Sequence, residues 1–310
     1  MQARKGASAR FCLLILTYFL AAAVLGVRVA PVAPAGDVLA AGVRVQPACA
    51  DSPPAKLEAG WFPHRQAGAA TGTEFGRKTT GWRGRDRQEA ALSELRSGNI
   101  PDFLRILVPV RLSYKYRDGR EINAVVWVTP DYLSIGSDED FLRIPLTRPS
   151  AVSIASELNC VLPTRKIVDA IYEQADFHFR PMPMPPTQEM RSSRYYLRHN
   201  AMIEESRKGR PLGELLAGHK KDIVLTNKLQ GRERIAIYGW HRQDGQPIQG
   251  LSTVHAARYA DYSHGLRLVY GQVCVNGKMK SFYEVLQDPQ LAPVLSYEGP
   301  IPRIMSLMKW

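Results

Sequence analysis

The chain has 310 residues, 45% of them hydrophobic, and a formal net charge of +12. That length suits one large domain or two small ones, and the hydrophobic share is ordinary for a globular protein. Only one apolar run approaches the length of a membrane span, which excludes a multi-span membrane protein.

The chain opens on a basic stretch without acids, with Arg4, Lys5 and Arg10. Residues 11–27 are apolar. A basic n-region before an apolar h-region is the pattern of an export signal. The apolar run is long for an h-region, so an uncleaved signal anchor is the competing reading. Ala33-Pro34-Ala35 and Ala48-Cys49-Ala50 are small-x-small cleavage candidates, and no lipobox precedes Cys49. Residues 1–35 are therefore expected to be a signal peptide or signal anchor. The protein is expected to be exported, periplasmic or extracellular, and membrane-tethered in the anchor version. A basic exported chain suits an anionic cell-wall or membrane-surface component. No nucleic-acid motif is present, and nucleic acid is not expected as a partner.

Residues 36–87 are rich in Ala, Pro and Gly and are expected to be a disordered tether. Part of the positive charge lies there, in Arg77, Lys78, Arg83, Arg85 and Arg87. A single folded domain is expected over residues 88–310. Residues 89–96 can form a short helix. Residues 103–116 read as a strand that Pro109 confines to an edge or bends. Asp118-Gly119 is a hairpin signal, with 122–128 as the partner strand. Residues 132–135 and 141–146 flank a loop with three consecutive acids, Asp138, Glu139 and Asp140. Their spacing does not suit calcium, and a solvated turn is expected. Helices are expected over 150–158, from Pro163 to about residue 174, and over 192–207. In the second, Ile167, Ile171 and Ala175 form an apolar stripe, leaving Asp169 and Glu173 to solvent. In the third, His199 shares a face with Tyr195, Met202 and Ile203 and reads as a core histidine. Asn276-Gly277 signals a further hairpin. Strands mingle with helices without regular alternation. The fold class is α+β, with a mixed or mainly antiparallel sheet and a few packed helices after the N-terminal export signal.

Residues 219–267 concentrate the chemistry. Four of the seven histidines lie there, His219, His241, His255 and His264, with Asp222, Asp244 and Asp261. Two aliphatic runs, 223–226 and 235–240, read as a hairpin, so His219 and Asp222 come beside His241. A third strand over 266–275, antiparallel to the second, brings His264 to the same edge. Residues 242–265 then form a loop folded over that rim. Polar side chains under a long loop at a sheet edge form a candidate site.

Three kinds of chemistry fit it. In a metal site, His219, Asp222, His241, His255 and His264 are ligand candidates for zinc or another divalent metal. In acid–base or nucleophilic chemistry, His219, Asp222, His241, Asp261 and His264 are the catalytic candidates, with Ser252 or Ser263 as a nucleophile. In binding, Trp240 and Tyr262 supply aromatic surface, and Arg242 and Arg267 supply forked donors for an anion. Residues 262–267, Tyr-Ser-His-Gly-Leu-Arg, resemble part of the L,D-transpeptidase signature. Tyr238-Gly239-Trp240-His241 faintly resembles that family's upstream histidine strand. The family's nucleophilic cysteine is missing between Gly265 and Arg267, so its acyl-enzyme cannot form and the family is not adopted.

Two functions follow as expectations. One is an exported hydrolase with a His/Asp site, metal-dependent in one version, acting on a cell-envelope polymer or peptide. The alternative is a non-catalytic envelope-binding or structural domain, with the same groups in a buried hydrogen-bond network. Cys160 and Cys274 are the two cysteines of the folded part, either bridged or both free.

Overall fold

Turn chemistry sets the first sheet. The computed structural model describes residues 62–309, all within the compact unit Val45–Trp310. Strands β1 (Val108–Lys115) and β2 (Glu121–Val128) pair antiparallel from Val108↔Val128 to Lys115↔Glu121. The turn between them carries Gly119 at φ +88°, a conformation glycine adopts without penalty. Pro109 lies on β1, which among the described residues pairs only with β2, so the proline's missing donor costs the sheet no bond. The expected strand over 103–107 is absent. Asp102–Arg105 forms a 3₁₀ turn instead.

The other edge of β2 meets β12 (Val269–Tyr270) and β13 (Gln272–Val275), and the sheet continues to β14 (Lys278–Ser281) and β5 (Cys160–Val161). Asn276-Gly277 turns β13 into β14, both residues at positive φ as a type I′ hairpin needs. A second sheet has the order β10 (Pro247–Ser252), β9 (Ile237–His241), β8 (Lys221–Ile223), β11 (His264–Gly265). Two short pairs complete the sheets: β3 (Ser134–Gly136) with β4 (Phe141–Arg143), and β6 (Phe177–His178) with β7 (Leu216–Ala217).

The described residues contain seven α-helices and mostly antiparallel sheets, an α+β fold. The three central helices run close to expectation. α3 (Arg148–Glu157), α4 (Arg165–Gln174) and α5 (Ser193–Arg207) each start from a capping hydroxyl: Thr147, Thr164 and Ser192. Ile167, Val168 and Ile171 bury the stripe of α4. Order begins earlier than composition suggests. α1 (Gly72–Lys78) and α2 (Gly84–Arg96) occupy part of the expected tether, and Phe75 and Ala91 join the core. A capping box on Thr71 and Glu74 fixes the start of α1. The expected signal segment lies outside the described residues. No helix among the described residues is long and apolar enough to cross a membrane.

Two expectations about connectivity need correction. The run 266–275 is not one strand beside β9. His264–Gly265 pairs parallel to β8, and the chain then leaves for the six-stranded sheet as β12 and β13. Gly271 marks the break, its N–H bonding to the Asn159 carbonyl. Residues 242–265 are also not one loop. Asp244-Gly245 makes a tight turn, with Gly245 at φ +80°, and β10 returns against β9. Cys160 is a free buried thiol, so no bridge joins it to Cys274.

Candidate functional site

The register places the rim residues at one end of the four-stranded sheet. Lys221 stands opposite Gly239 on one side and His264 on the other. His219 precedes Lys221 by two residues, and His241 follows Gly239 by two. The expected neighbourhood is therefore present, although β11 reaches it parallel to β8. The side chains do not share a centre. Among the described residues, no group of three or more His, Cys, Asp or Glu side chains is placed to hold a metal ion. The five ligand candidates His219, Asp222, His241, His255 and His264 instead disperse into separate local partnerships.

His219 Nε2 lies 2.9 Å from Asp131 Oδ1, and both groups are buried. Asp131 also takes the Arg143 guanidinium, with Nη2 to Oδ2 at 2.6 Å. Arg143 reaches Glu204 at 2.8 Å on its other side. The aromatic rings of Tyr132 and Phe179 pack on the His219 imidazole, at 4.8 and 4.6 Å. Burial pushes His219 down to about 4, against the pull of Asp131. Burial also opposes ionisation of Asp131, but Arg143 and then His219 outweigh it and hold the carboxyl well below its usual range.

Asp222 pairs elsewhere. It accepts the Tyr132 hydroxyl at 2.8 Å. Burial raises its carboxyl to about 6, with Arg267 and the tyrosine bond pulling the other way. Arg267 is 0% exposed. It donates to the carbonyls of Thr129 and Leu216 at 2.8 and 2.6 Å, and its guanidinium lies 4.5 Å from the centre of the Tyr132 ring. It ties the exit of one sheet to two neighbouring segments and does not face solvent.

His241 Nε2 meets Asp169 Oδ1 at 3.1 Å, and Tyr238 donates to the same oxygen at 2.7 Å. The His241 ring stacks on Tyr172 at 4.5 Å. Asp169 was expected in solvent. It sits instead on the flank of α4 that faces β9.

The fourth partnership belongs to the segment after β10. Asp261 accepts the Ser263 hydroxyl at 2.6 Å and the Tyr259 hydroxyl at 2.9 Å. This turn fixes Ser263, a nucleophile candidate, as a buried donor to a carboxylate. His255 stacks on Tyr259 at 4.1 Å. The His264 ring stands 5.7 Å from Tyr259 and 6.5 Å from His255. Neither of its ring nitrogens has a hydrogen-bond partner among the described residues. Burial lowers it to about 4, although Asp261 pulls it up.

Trp240 and Tyr262, expected on a binding platform, are also buried. Tyr262 gives its carbonyl to Lys220 Nζ at 2.7 Å, and Lys220 lies 3.4 Å from His199 Nδ1. Burial, then Arg143, lowers Lys220 to about 7, and burial, then Lys220, lowers His199 to about 2. Arg242 is the exposed member of the candidate set, at the β9–β10 turn. Two acids of the 138–140 loop are anchors: Asp138 accepts Phe103 N–H, and Asp140 accepts the N–H and hydroxyl of Thr73, while Glu139 is exposed.

His219 and His264, held near 4, are weak bases at neutral pH, and both are fully buried. Sequence reading missed Asp131, Tyr132, Arg143, Asp169 and Lys220. Asp131 reads as a turn residue after Pro130, and only the tertiary fold buries it. No family model, curated protein or solved structure matches this chain.

Proposed function

We propose that the chain is a non-catalytic cell-envelope binding domain whose His/Asp groups form a structural network. One observation carries this reading. The five catalytic candidates are all buried, and four of them engage partners in different places: His219 with Asp131, Asp222 with Tyr132, His241 with Asp169, and Asp261 with Ser263. Paired, buried polar groups of this kind specify a fold rather than meet a substrate. Within residues 253–263 the network acts as a brace: Asp261 holds Ser263 and Tyr259, and His255 stacks on Tyr259. The basic, export-like N-terminal sequence and the charge of +12 favour an exported protein on an anionic cell-wall or membrane-surface component.

A hydrolase reading keeps one supporting observation, the unpartnered imidazole of His264 beside Asp261. That imidazole is fully buried, and the hydrolase reading requires a movement that makes it accessible.

The test is co-sedimentation of the full chain with purified cell-wall material. The binding reading expects pelleting that weakens steeply between low and physiological salt, as charge-driven contacts do. A chain that stays in the supernatant at low salt contradicts it.

A further inference from the structure

A cavity of about 600 Å³ is lined by none of the rim histidines or aspartates. Its wall brings together four guanidinium-bearing residues, Arg85, Arg87, Arg191 and Arg258, against one carboxylate, Glu89. They come from distant parts of the chain. Arg85 and Arg87 lie on the first turns of α2, Arg191 just before α5, and Arg258 in the segment that the His/Asp network braces. Asp86 and Glu89 stand 3.3 and 3.8 Å from the exposed Arg85 and answer its charge. Guanidinium groups gathered around one hollow raise its positive potential and favour an anion there.

Several features favour an anion there. Arg87 is 5% exposed. Two of its nitrogens donate to the carbonyls of Trp82 and Arg191, while its Nε has no hydrogen-bond partner among the described residues. Its guanidinium lies 5.1 Å from the centre of the Tyr196 ring, which lines the same cavity. A buried, planar cation fixed in this way is a preset donor. Two helix starts border the hollow as well. α2 has no side-chain cap at Arg83, and Thr147, the cap of α3, and Ser150 of its first turn lie on the wall. The partial positive charge of both starts adds to the arginines. The volume matches ligands of sugar-phosphate size.

We propose that this cavity is a binding site for a phosphate-bearing ligand, held by Arg87, Arg191 and Arg258. Guanidinium forks match phosphate oxygens in pairs, which favours phosphate over a simple halide or a neutral sugar. The site deepens the binding reading above and rests on it only for the source of the ligand, free phosphate ester or envelope polymer. It also gives the His/Asp network a purpose. Tyr259, gripped by Asp261 and stacked on His255, lies 5.3 Å under the Arg191 guanidinium, and its neighbour Arg258 stands on the cavity wall.

The experiment is calorimetric titration of the full chain with inorganic phosphate and with glucose 6-phosphate, run beside the cell-wall pelleting assay. Wild type is expected to bind saturably. Arg191→Ala and Arg258→Ala, both at exposed positions, are expected to weaken binding at least tenfold with an unchanged melting temperature. Arg191→Lys keeps the charge without the fork and is expected to fall between. The absence of saturable binding by wild type, or equal binding by the alanine variants, overturns the site. Pelleting without phosphate binding removes the site and leaves the envelope reading. Phosphate binding without pelleting keeps the site and assigns it to a free phosphate ester.

Discussion

Nε2 of His219 lies 2.9 Å from a carboxylate oxygen of Asp131, a residue 88 positions earlier in the chain. The same carboxylate carries the Arg143 guanidinium, and all three groups are removed from water. A histidine that looks catalytic by its place at a strand start is thus one side of a three-part buried contact between the β3–β4 pair and the four-stranded sheet.

Removing the carboxylate leaves a buried arginine short of its main counter-charge. Asp131→Ala is expected to cost about 3 kcal/mol, the low end for breaking a buried pair, because Glu204 still contacts Arg143. Urea unfolding followed by tryptophan fluorescence measures it. A loss below about 1 kcal/mol contradicts the role given to this contact.

Acid should destabilise the fold before most carboxylates titrate. His199, His219 and His264 sit at about 2, 4 and 4 in the folded chain, against 6.5 when exposed. The unfolded chain therefore binds the extra protons as pH falls from 6.5 towards 4, so stability falls across that window. Each histidine contributes roughly 1–2 kcal/mol of loss between pH 7 and 5. Asp222, raised to about 6, acts in the opposite direction: the folded form takes up its proton first, and stability rises as pH falls from 6 to 4. Three histidines outweigh one carboxyl, so the net change is a loss. Urea midpoints at pH 7 and pH 5 check this, and a midpoint that rises on acidification contradicts it.

Gly265 supplies a steric test of why the Ser-His-Gly sequence stands where it does. A Cβ at this position would lie 2.4–2.7 Å from the Tyr132 ring. That ring cannot swing away, because its hydroxyl is bound to Asp222 and Arg267 packs on its face. Gly265→Ala is expected to cost about 1–3 kcal/mol through overpacking. A variant as stable as wild type in thermal unfolding would show that the glycine has some other role.

The sequence makes local structure legible and hides the pairings. Capping hydroxyls at Thr147, Thr164 and Ser192 and the turns at Gly119 and Gly277 announce their elements, because each solves a backbone problem within a few residues. The α+β class follows from them. The first tight turn after β9 was also readable, in Asp244-Gly245, and overlooking it turned β10 into part of a loop. The neighbourhood of His219, Asp222 and His241 follows from a simple hairpin, whereas His264 reaches it by a parallel pairing that no local signal announces. What these residues do depends on Asp131, Tyr132 and Asp169, which arrive from 72 to 90 positions away, and no local pattern distinguishes them from turn or surface residues. The basic cavity was hidden for a related reason: Arg85 and Arg87 lie in a stretch whose Ala, Gly and Pro content suggested a tether, and α2 exists through its packing on the core.

On the proposed reading the rim histidines hold the fold and do not perform chemistry. The most direct measurement is release of soluble fragments from purified cell-wall material by the full chain, wild type beside His264→Ala, with and without added zinc. The structural account predicts no release above that of heat-denatured protein in any of these samples. Release by wild type that His264→Ala abolishes, with an unchanged melting temperature, would contradict it and restore the hydrolase.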